Sequence, residues 1–337
     1  MHLVALSNER LDPWVNWTTL GPPLLCPLAA KSGGAIVAPP PLRWETRHEW
    51  RQSIRSTREA DTLFWMQGSA RPEWPLMALS ASRGVARRAA FVVDAWRPAL
   101  SKIGVLAVAQ RLDPCFVAFR EGCEELRRRF PGGRFEWLPF GIDTDVFRPG
   151  PGERDIFAFW MGRRHEPLHQ ALLAYCRERG LVYRYARYAG EFSTEELGAM
   201  ARRCRYFVVT PPDLDNPERT GGFSPLVMRY LEGLASGARL LGVLPKSGEY
   251  EHILPREAIL EIRADGSNLA KRLDEDAENS AGWNAVAAAC DLVQREHSWS
   301  RRAEQIRDRL LTDDPVQIAA FRQRGEHWAD GTILQRA

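Results

Sequence analysis

The sequence contains no long apolar run. None of its segments approaches the roughly 20 consecutive apolar residues that a membrane-spanning helix requires. The first residues, MHLVALSNERLD, have neither a basic start nor a sustained apolar core, so they do not resemble a secretion signal. We therefore expect a cytoplasmic protein without an integral membrane segment.

The sequence also lacks the cysteine and glycine patterns of several common sites. Its six cysteines form no C-x-x-C pair and have no neighbouring histidine ladder, which disfavours a zinc site and a disulfide framework. No G-x-G-x-x-G follows a strand with an acidic residue about twenty positions later, which argues against a dinucleotide-dependent oxidoreductase. We expect most of the cysteines to be buried thiols.

Lysine is scarce, since only four of the 46 basic residues are lysines and the others are arginines. Arginine clusters such as Arg127–Arg129 are short and flanked by acidic residues, and no concentrated basic stripe is visible. The formal net charge is only +3. This pattern disfavours nucleic acid as a partner.

Apolar strands alternate with amphipathic helices in the second half of the chain. Helices are predicted to begin near His169, Ser193 and Ser224, and Ser193 stands three residues before Glu196, the spacing of a capping box. Such alternation implies parallel strands joined by right-handed crossovers in a doubly wound sheet. The predicted strands are Ile156–Gly162, Leu181–Tyr188, Tyr206–Thr210 and Ala238–Leu244.

The first half has the same α/β character with less regularity. It contains five strand-like runs, HLVALS, GAIVAP, TLFWMQG, AAFVVDAW and CFVAF, and a helix over Glu121–Phe130. A stretch rich in glycine and proline indicates a domain boundary near Gly150. We predict a first domain over residues 1–149, a second over 150–312, and a helical tail over 313–337 that enters its helix at Pro315. Packing on the first domain is one option for a terminal helix.

Two places in the second half are suited to an anionic ligand. In MGRRHE, Gly162 ends a strand and Arg163 and Arg164 follow at once, where a guanidinium can hold a phosphate bidentately. The alternative is a surface arginine pair that is neutralised by Glu166. The second place is TGGFSP, whose Ser224 is a good N-cap before a helix.

An acidic residue lies two turns into the helix that is predicted to begin at Ser224. Most of this helix is apolar, but Glu232 stands off its core face. A carboxylate can accept hydrogen bonds from both hydroxyls of a ribose whose phosphates rest at the helix start. On spacing alone, a solvent-facing position for Glu232 is the alternative.

These segments resemble a signature of the GT-B glycosyltransferases of the retaining, family-four kind. That signature is a glutamate, seven residues, and then Glu-Ala-Met-Ala-x-Gly, and Glu232–Gly237 matches its second half. The segment Leu138–Pro149 resembles the family's interdomain motif, FWMGRR its first strand with Gly-Arg, and EHSWSRRAEQI its late Ser-Trp helix. The likeness extends from about Phe135 to Leu311 and is faint or absent before it.

The resemblance implies two Rossmann-like doubly wound domains that face a cleft, with the donor on the second domain and a C-terminal helix returning to the first. In the family, the residue matching Glu232 binds the donor's ribose and the residue matching Arg163 binds its diphosphate. The other residues that the resemblance implies in donor binding are Gly162, Arg164, Tyr188, Gly221, Gly222, Phe223 and Ser224.

Two positions depart from the family pattern. The family's first glutamate, which touches the donor sugar, corresponds to Ser224, and Glu218 is the candidate to replace it. The family's lysine downstream of Gly-Arg is missing, which leaves Arg164 or His165 as stand-ins. In the first domain, Asp94 stands at a strand end where relatives often carry a histidine. Asp94 could receive the acceptor's proton, or it could cap a loop.

The resemblance predicts an enzyme of the hexosyltransferase type that uses a nucleotide diphosphate-sugar as co-substrate. Catalysis would rest on Asp94, Arg163 and Glu218, with no metal and no other cofactor. The acceptor would be a small molecule, glycan or peptide, such as a natural-product scaffold or a polysaccharide precursor. The alternative is a catalytically inactive GT-B protein that binds a nucleotide sugar as a partner or regulator.

Overall fold

The chain folds into two compact units. One unit comprises Met1–Phe140 and Trp299–Ala337, and the other comprises Gly141–Ser298. The computed structural model describes residues 1–10, 17–68, 74–81, 84–187, 192–277, 279–312, 326–329 and 332–335. The chain therefore leaves the first unit once and returns to it at Trp299.

The first unit is built on a six-stranded parallel sheet. Its strands are β1 (Leu3–Leu6), β2 (Ala35–Val37), β3 (Thr62–Gln67), β4 (Arg87–Val92), β5 (Leu112–Val117) and β6 (Phe135–Trp137). They lie in the order β2-β1-β3-β4-β5-β6. Its helices are α1 (Trp17–Lys31), α2 (Arg47–Arg58), α3 (Trp74–Ser80), α4 (Leu100–Ala109) and α5 (Arg120–Arg129), together with α13 (Trp299–Leu311) from the end of the chain.

The second unit is built on a five-stranded parallel sheet. Its strands are β7 (Ile156–Met161), β8 (Tyr183–Ala186), β9 (Cys204–Val209), β10 (Arg239–Gly242) and β11 (Ile259–Glu261). They lie in the order β11-β10-β9-β7-β8. Its helices are α6 (Glu166–Glu178), α7 (Thr194–Arg203), α8 (Pro217–Thr220), α9 (Met228–Ala235), α10 (Glu249–Ile253), α11 (Leu269–Asp276) and α12 (Ser280–Glu296). The two parallel sheets confirm the predicted α/β fold class.

The strand order reverses beside the first strand of each sheet. Strand β1 lies between β2 and β3, and β7 lies between β8 and β9. In open α/β sheets, ligands bind outside the carboxyl ends of the strands at such a switch point. A ligand site in the second unit is therefore expected at the carboxyl ends of β7 and β9.

The core of the second unit contains a buried ion pair. Arg239 Nη2 lies 2.9 Å from Asp276 Oδ1, and both side chains are almost fully buried. Tyr206 donates its hydroxyl to Asp276 Oδ2 at 2.9 Å. The pair therefore joins the start of β10 to the end of α11, where removal of one partner would leave a buried charge unpaired.

The unit boundaries differ from the predicted domain boundaries. The segment after Phe140 belongs to the second unit, where Ile142 forms a bridge with Ser298 and Gln294 donates to the carbonyl of Phe147 at 2.8 Å. Helix α13 belongs to the first unit, because Trp299 is buried there with its ring centroid 6.3 Å from that of Phe91. The interdomain motif over Leu138–Pro149 thus spans the division.

The predicted helical tail is wrong in the part that the structure describes. Residues 313–325, which include the expected helix start at Pro315, lie outside the described residues. Beyond them, β12 (Glu326–Ala329) pairs antiparallel with β13 (Thr332–Gln335).

Candidate active site

A cavity of about 310 Å³ lies at the carboxyl ends of β7 and β9 in the second unit. It coincides with the reversal of strand order, so its position follows from the topology. Residues from four segments line it, namely the end of β7 and the turn after it, the residue after β8, the end of β9 and the loop after it, and the start of α9. The lining residues are Trp160, Met161, Gly162, Arg163, Arg187, Val208, Val209, Thr210, Pro212, Asp215, Val227 and Arg229.

The turn at Gly162 and Arg163 is held by three hydrogen bonds. The Gly162 amide donates to the carbonyl of Ala186 at 2.8 Å, and the Tyr185 hydroxyl donates to the Gly162 carbonyl at 3.0 Å. The buried Trp160 indole donates to the Arg163 carbonyl at 3.0 Å. Gly162 has φ of 98°, a conformation that favours glycine. The backbone of Arg163 is therefore fixed while its side chain is exposed at the cavity.

The cavity lining carries more positive than negative charge. Arg163, Arg187 and Arg229 line it, whereas Asp215 is the one carboxylate among the described lining residues. Asp215 is itself paired, with Oδ1 2.7 Å from His165 Nδ1. An excess of guanidinium groups at a sheet's switch point suits a multiply charged anion such as a diphosphate.

Helix α9 begins three residues later than the sequence predicts. Its N-cap is Val227, and the prediction of Ser224 as N-cap is wrong. The buried Ser224 accepts the Lys246 amide on its Oγ at 3.1 Å, and the buried Glu249 accepts the Leu226 amide on Oε2 at 2.6 Å. These tertiary hydrogen bonds hold the segment out of the helix. The N-terminus of α9 is consequently at Val227, which lines the cavity.

Glu232 is buried, so the solvent-facing alternative is wrong. Only 3% of its surface is exposed, and its Oε2 forms an ion pair with Arg229 Nη1 one turn earlier on α9. Glu232 is not among the described lining residues, and its link to the cavity passes through Arg229. A buried carboxylate on an otherwise apolar helix requires such a partner.

Arg164 is not among the described lining residues of the cavity. Its Nε donates to Glu166 Oε2 at 2.9 Å, its Nη1 lies 3.2 Å from His169 Nε2, and its guanidinium stacks over the Tyr185 ring at 5.0 Å. This arrangement matches the alternative of an arginine neutralised by Glu166. His165, the other candidate stand-in for the missing lysine, is engaged with Asp215.

His169, a buried residue of α6, contacts the polar side chains of Tyr183 and Arg164. Its Nδ1 lies 2.8 Å from the Tyr183 hydroxyl, and its Nε2 faces Arg164, which can only donate. Nε2 therefore accepts and Nδ1 carries the proton. Burial, and then the positive charge of Arg164, lower the pKa of His169, and burial raises the pKa of the Tyr183 hydroxyl.

The loop before α9 holds five of the predicted site residues outside the described cavity lining, and Ser224, described above, is one of them. Glu218 is exposed in the short helix α8, and Gly221 caps that helix in a left-handed conformation with φ of 62°. Gly222 also has a positive φ, of 86°, and Phe223 is buried. The glycines are thus required by the backbone of the loop, whatever their part in ligand binding.

The remaining two predicted site residues lie elsewhere. Tyr188 falls outside the described residues. Asp94 belongs to the first unit, two residues beyond the end of β4, where its amide donates to the carbonyl of Gly68 at 2.8 Å. Asp94 is partly exposed as a residue, and both alternatives for it, a proton acceptor or a loop cap, stay predictions.

Sequence reasoning missed Arg187, Thr210, Asp215 and Arg229 as cavity residues. Arg187 and Thr210 each lie within the last two residues of a predicted strand, and that position is a usable signal. Arg229 gave no such signal, because its place in the cavity depends on the delayed start of α9. A helix from Ser224 would have put it in the second turn.

A wider cavity of about 730 Å³ lies at the opposite, amino-terminal ends of β7, β9 and β10. None of the predicted donor residues that the structure describes lines it. Its lining residues are Pro149, Arg154, Arg205, Gly237, Ala277, Trp283, Val286, Ala287, Cys290 and Asp291. Since ligands of open parallel sheets bind at the carboxyl ends, the smaller cavity is the better candidate.

The described residues contain no cluster of three or more histidine, cysteine, aspartate or glutamate side chains that could hold a metal ion. Among the same residues, no helix combines the length and the apolar character needed to span a bilayer. The structure describes all six cysteines, none of them is in a disulfide, and five of them are buried.

No protein-family model and no curated protein matches the sequence, so the comparison rests on solved structures. Sucrose-phosphate synthase from Thermosynechococcus elongatus matches with a TM-score of 0.59 at 13% identity, over 91% of this chain and 97% of that one. HepE from Anabaena, solved in complex with UDP-glucose, matches with a TM-score of 0.58 at 12% identity, over 93% and 100%. AviGT4, a glycosyltransferase involved in avilamycin A biosynthesis, matches with a TM-score of 0.50 at 16% identity, over 93% and 97%. The chain therefore has the fold of the GT-B glycosyltransferases.

Proposed function

We propose that the protein is a glycosyltransferase of the retaining, family-four kind. It transfers a sugar, as a hexosyltransferase does, from a nucleotide diphosphate donor to an acceptor hydroxyl or amine without a metal ion. The observation that carries the proposal is the arginine-lined cavity at the switch point of the second unit, with Arg163 and Arg229 at its wall and Glu232 buried behind Arg229.

The cavity meets the main chemical need of this reaction. The bond between the anomeric carbon and the diphosphate oxygen breaks, a bond from that carbon to the acceptor forms, and the bonding electrons leave with the diphosphate. Preorganised cations stabilise the charge that grows on the leaving oxygen. Arg163 is suited to this role because its backbone is fixed by Trp160 and its side chain is exposed at the cavity.

Two further residues complete the proposal. Asp94 is proposed to receive the acceptor's proton, since it follows the end of β4 in the first unit and is partly exposed. Glu218 is proposed to contact the donor sugar, because its side chain is exposed at the start of α8. Tyr188 remains proposed near the nucleobase on the basis of sequence alone.

A catalytically inactive nucleotide-sugar-binding protein is the second candidate. Ser224 stands where the family has its first glutamate, and the structure buries this serine and engages its Oγ with the Lys246 amide. Its hydroxyl is thus occupied by a protein contact, which weakens the sugar subsite that catalysis needs. Transfer and simple binding then differ in whether nucleoside diphosphate is released.

The test is incubation with a panel of nucleotide sugars, beginning with UDP-sugars, followed by mass spectrometry of the released nucleoside diphosphate. We expect release with at least one donor, and the same rate in EDTA. Arg163→Ala should lower the rate by about 10²–10³-fold, as loss of one charge-stabilising group does. Its unfolding free energy should change by less than about 0.5 kcal/mol, because the side chain is exposed.

Binding of a nucleotide sugar without any release would select the second candidate. A strict requirement for manganese would contradict the metal-independent mechanism. Absence of both binding and release across the panel would contradict both candidates.

A further inference from the structure

We propose that Arg229 binds the donor's diphosphate together with Arg163, and that the same guanidinium holds the Glu232 carboxylate in place. This inference rests on the proposed function and extends it to a residue that the sequence pattern did not indicate. It makes Arg229 the second phosphate-binding cation of the site.

The position of Arg229 places its guanidinium against the turn that follows β7. A Cβ atom added to Gly162 would lie 3.7 Å from Arg229 Nε, so the arginine lies over the backbone of that glycine. Both residues line the cavity, and Arg163 follows Gly162 directly. A phosphate beside Arg163 would therefore meet Arg229 as well.

The ion pair leaves most of the Arg229 guanidinium available to a ligand. A guanidinium has five N–H donors in one plane. In the part of the chain that the structure describes, the carboxylate of Glu232 engages Arg229 at Nη1. The Arg229 side chain is 36% exposed, in contrast to 4% for that of Glu232. One edge of the guanidinium thus faces a buried acid, and the remainder faces the cavity.

The pairing with Glu232 distinguishes this arginine from an ordinary surface cation. Glu232 restricts the rotamers of the long side chain, so less entropy is lost when a phosphate binds. In return, Arg229 compensates the buried charge of Glu232, which is proposed to accept the ribose hydroxyls. Phosphate binding and ribose binding are then coupled through one guanidinium.

The two candidate stand-ins for the missing lysine do not compete for this role. Arg164 is engaged by Glu166 and stacks over Tyr185, and His165 is engaged by Asp215. Neither belongs to the described cavity lining. Arg229 occupies the lining and retains donors toward it.

Calorimetry with nucleotide fragments tests the proposal. The wild type is first titrated with UDP, GDP, ADP and dTDP, and the tightest ligand is compared with its monophosphate and its nucleoside, the last by ligand-observed NMR. The variants are Glu232→Gln, Arg229→Ala combined with Glu232→Gln, and Arg229→Lys. The combined variant avoids leaving an unpaired buried carboxylate, and urea unfolding verifies that each variant folds.

We expect the combined variant to bind the diphosphate about 10- to 100-fold more weakly than Glu232→Gln alone, because it loses a charge-assisted hydrogen bond to the ligand. The nucleoside should bind both variants equally. Arg229→Lys should retain part of the diphosphate affinity, because it keeps the charge and loses the planar donors. Arg179→Ala is the matched control, since Arg179 is equally exposed at 35%, pairs with acidic residues and lies outside the cavity lining.

Equal diphosphate affinity in Glu232→Gln and in the combined variant would overturn the role of Arg229 while leaving the proposed function intact. An equal loss for diphosphate and nucleoside would also overturn it, because Arg229 would then act only as a support. If the wild type bound no member of the panel, the proposed function and this inference would fail together.

Discussion

Glu232 and Arg229 show where sequence reasoning about single residues succeeds and where it ends. The isolated acid in an apolar helix was visible in the sequence, and the structure gives it a buried position and a partner. Arg229 was not visible, because its role depends on the tertiary contacts that delay the start of α9. A residue's type can be read from the sequence, whereas the group that it faces often cannot.

The position of His169 beside Arg164 leads to a prediction about how the free energy of unfolding depends on pH. Folding lowers the pKa of His169 below its ordinary value of 6.5, through burial and then the charge of Arg164. Below pH 6.5 the unfolded chain therefore binds more protons than the folded one. The contribution of His169 is fully present above that pH and is lost as the pH falls through the folded-state pKa.

Urea unfolding of the wild type and His169→Gln between pH 5 and pH 8 tests this. The wild type should gain stability relative to the variant as the pH rises. Tyr183→Phe, which keeps the buried imidazole beside Arg164, should retain most of that pH dependence. A difference between wild type and His169→Gln that is the same at every pH would refute the assignment.

Helices α7 and α9 differ in what determines their starts. The spacing of Ser193 and Glu196 predicts a capping box at the start of α7, and both of its hydrogen bonds are present. The start of α9 was predicted from Ser224 and is wrong, because Lys246 and Glu249 bind the segment before it. Local signals fix a helix end only where no tertiary contact competes for the same backbone groups.

The capping box leads to a prediction for α7. Ser193→Ala removes the acceptor of the Glu196 amide and should lower the unfolding free energy by about 1 kcal/mol. The control is Thr194→Ala, one residue further on, which removes no capping hydrogen bond and should cause no loss. Urea unfolding of both variants measures the difference. Equal stabilities would mean that the box does not stabilise the folded state.

Helix α1 lay beyond sequence prediction for a different reason. It contains Pro22, Pro23 and Pro27, which disfavour a helix interior. It nevertheless forms, packs against α13 and buries Leu24 and Leu28. Its partner helix is more than 260 residues away in sequence, so no local pattern could reveal that the packing compensates for the prolines.

The architecture of the two units was the most predictable feature of the chain. Alternating strand and helix patterns imply parallel sheets, and the switch point of each sheet follows from its strand order. The boundaries were less predictable, since Phe140 and Trp299 belong to the first unit through aromatic contacts with Phe91. Such contacts join distant segments and leave no periodic trace in the sequence.

The proposed function requires a diphosphate to bind at the carboxyl ends of β7 and β9, and a crystal structure with the tightest nucleoside diphosphate of the panel tests this most directly. We predict the diphosphate in the cavity beside Gly162, within hydrogen-bonding distance of the Arg163 and Arg229 guanidinium groups, and the ribose hydroxyls at Glu232. An empty cavity with the nucleotide bound elsewhere on the protein would contradict the proposed function.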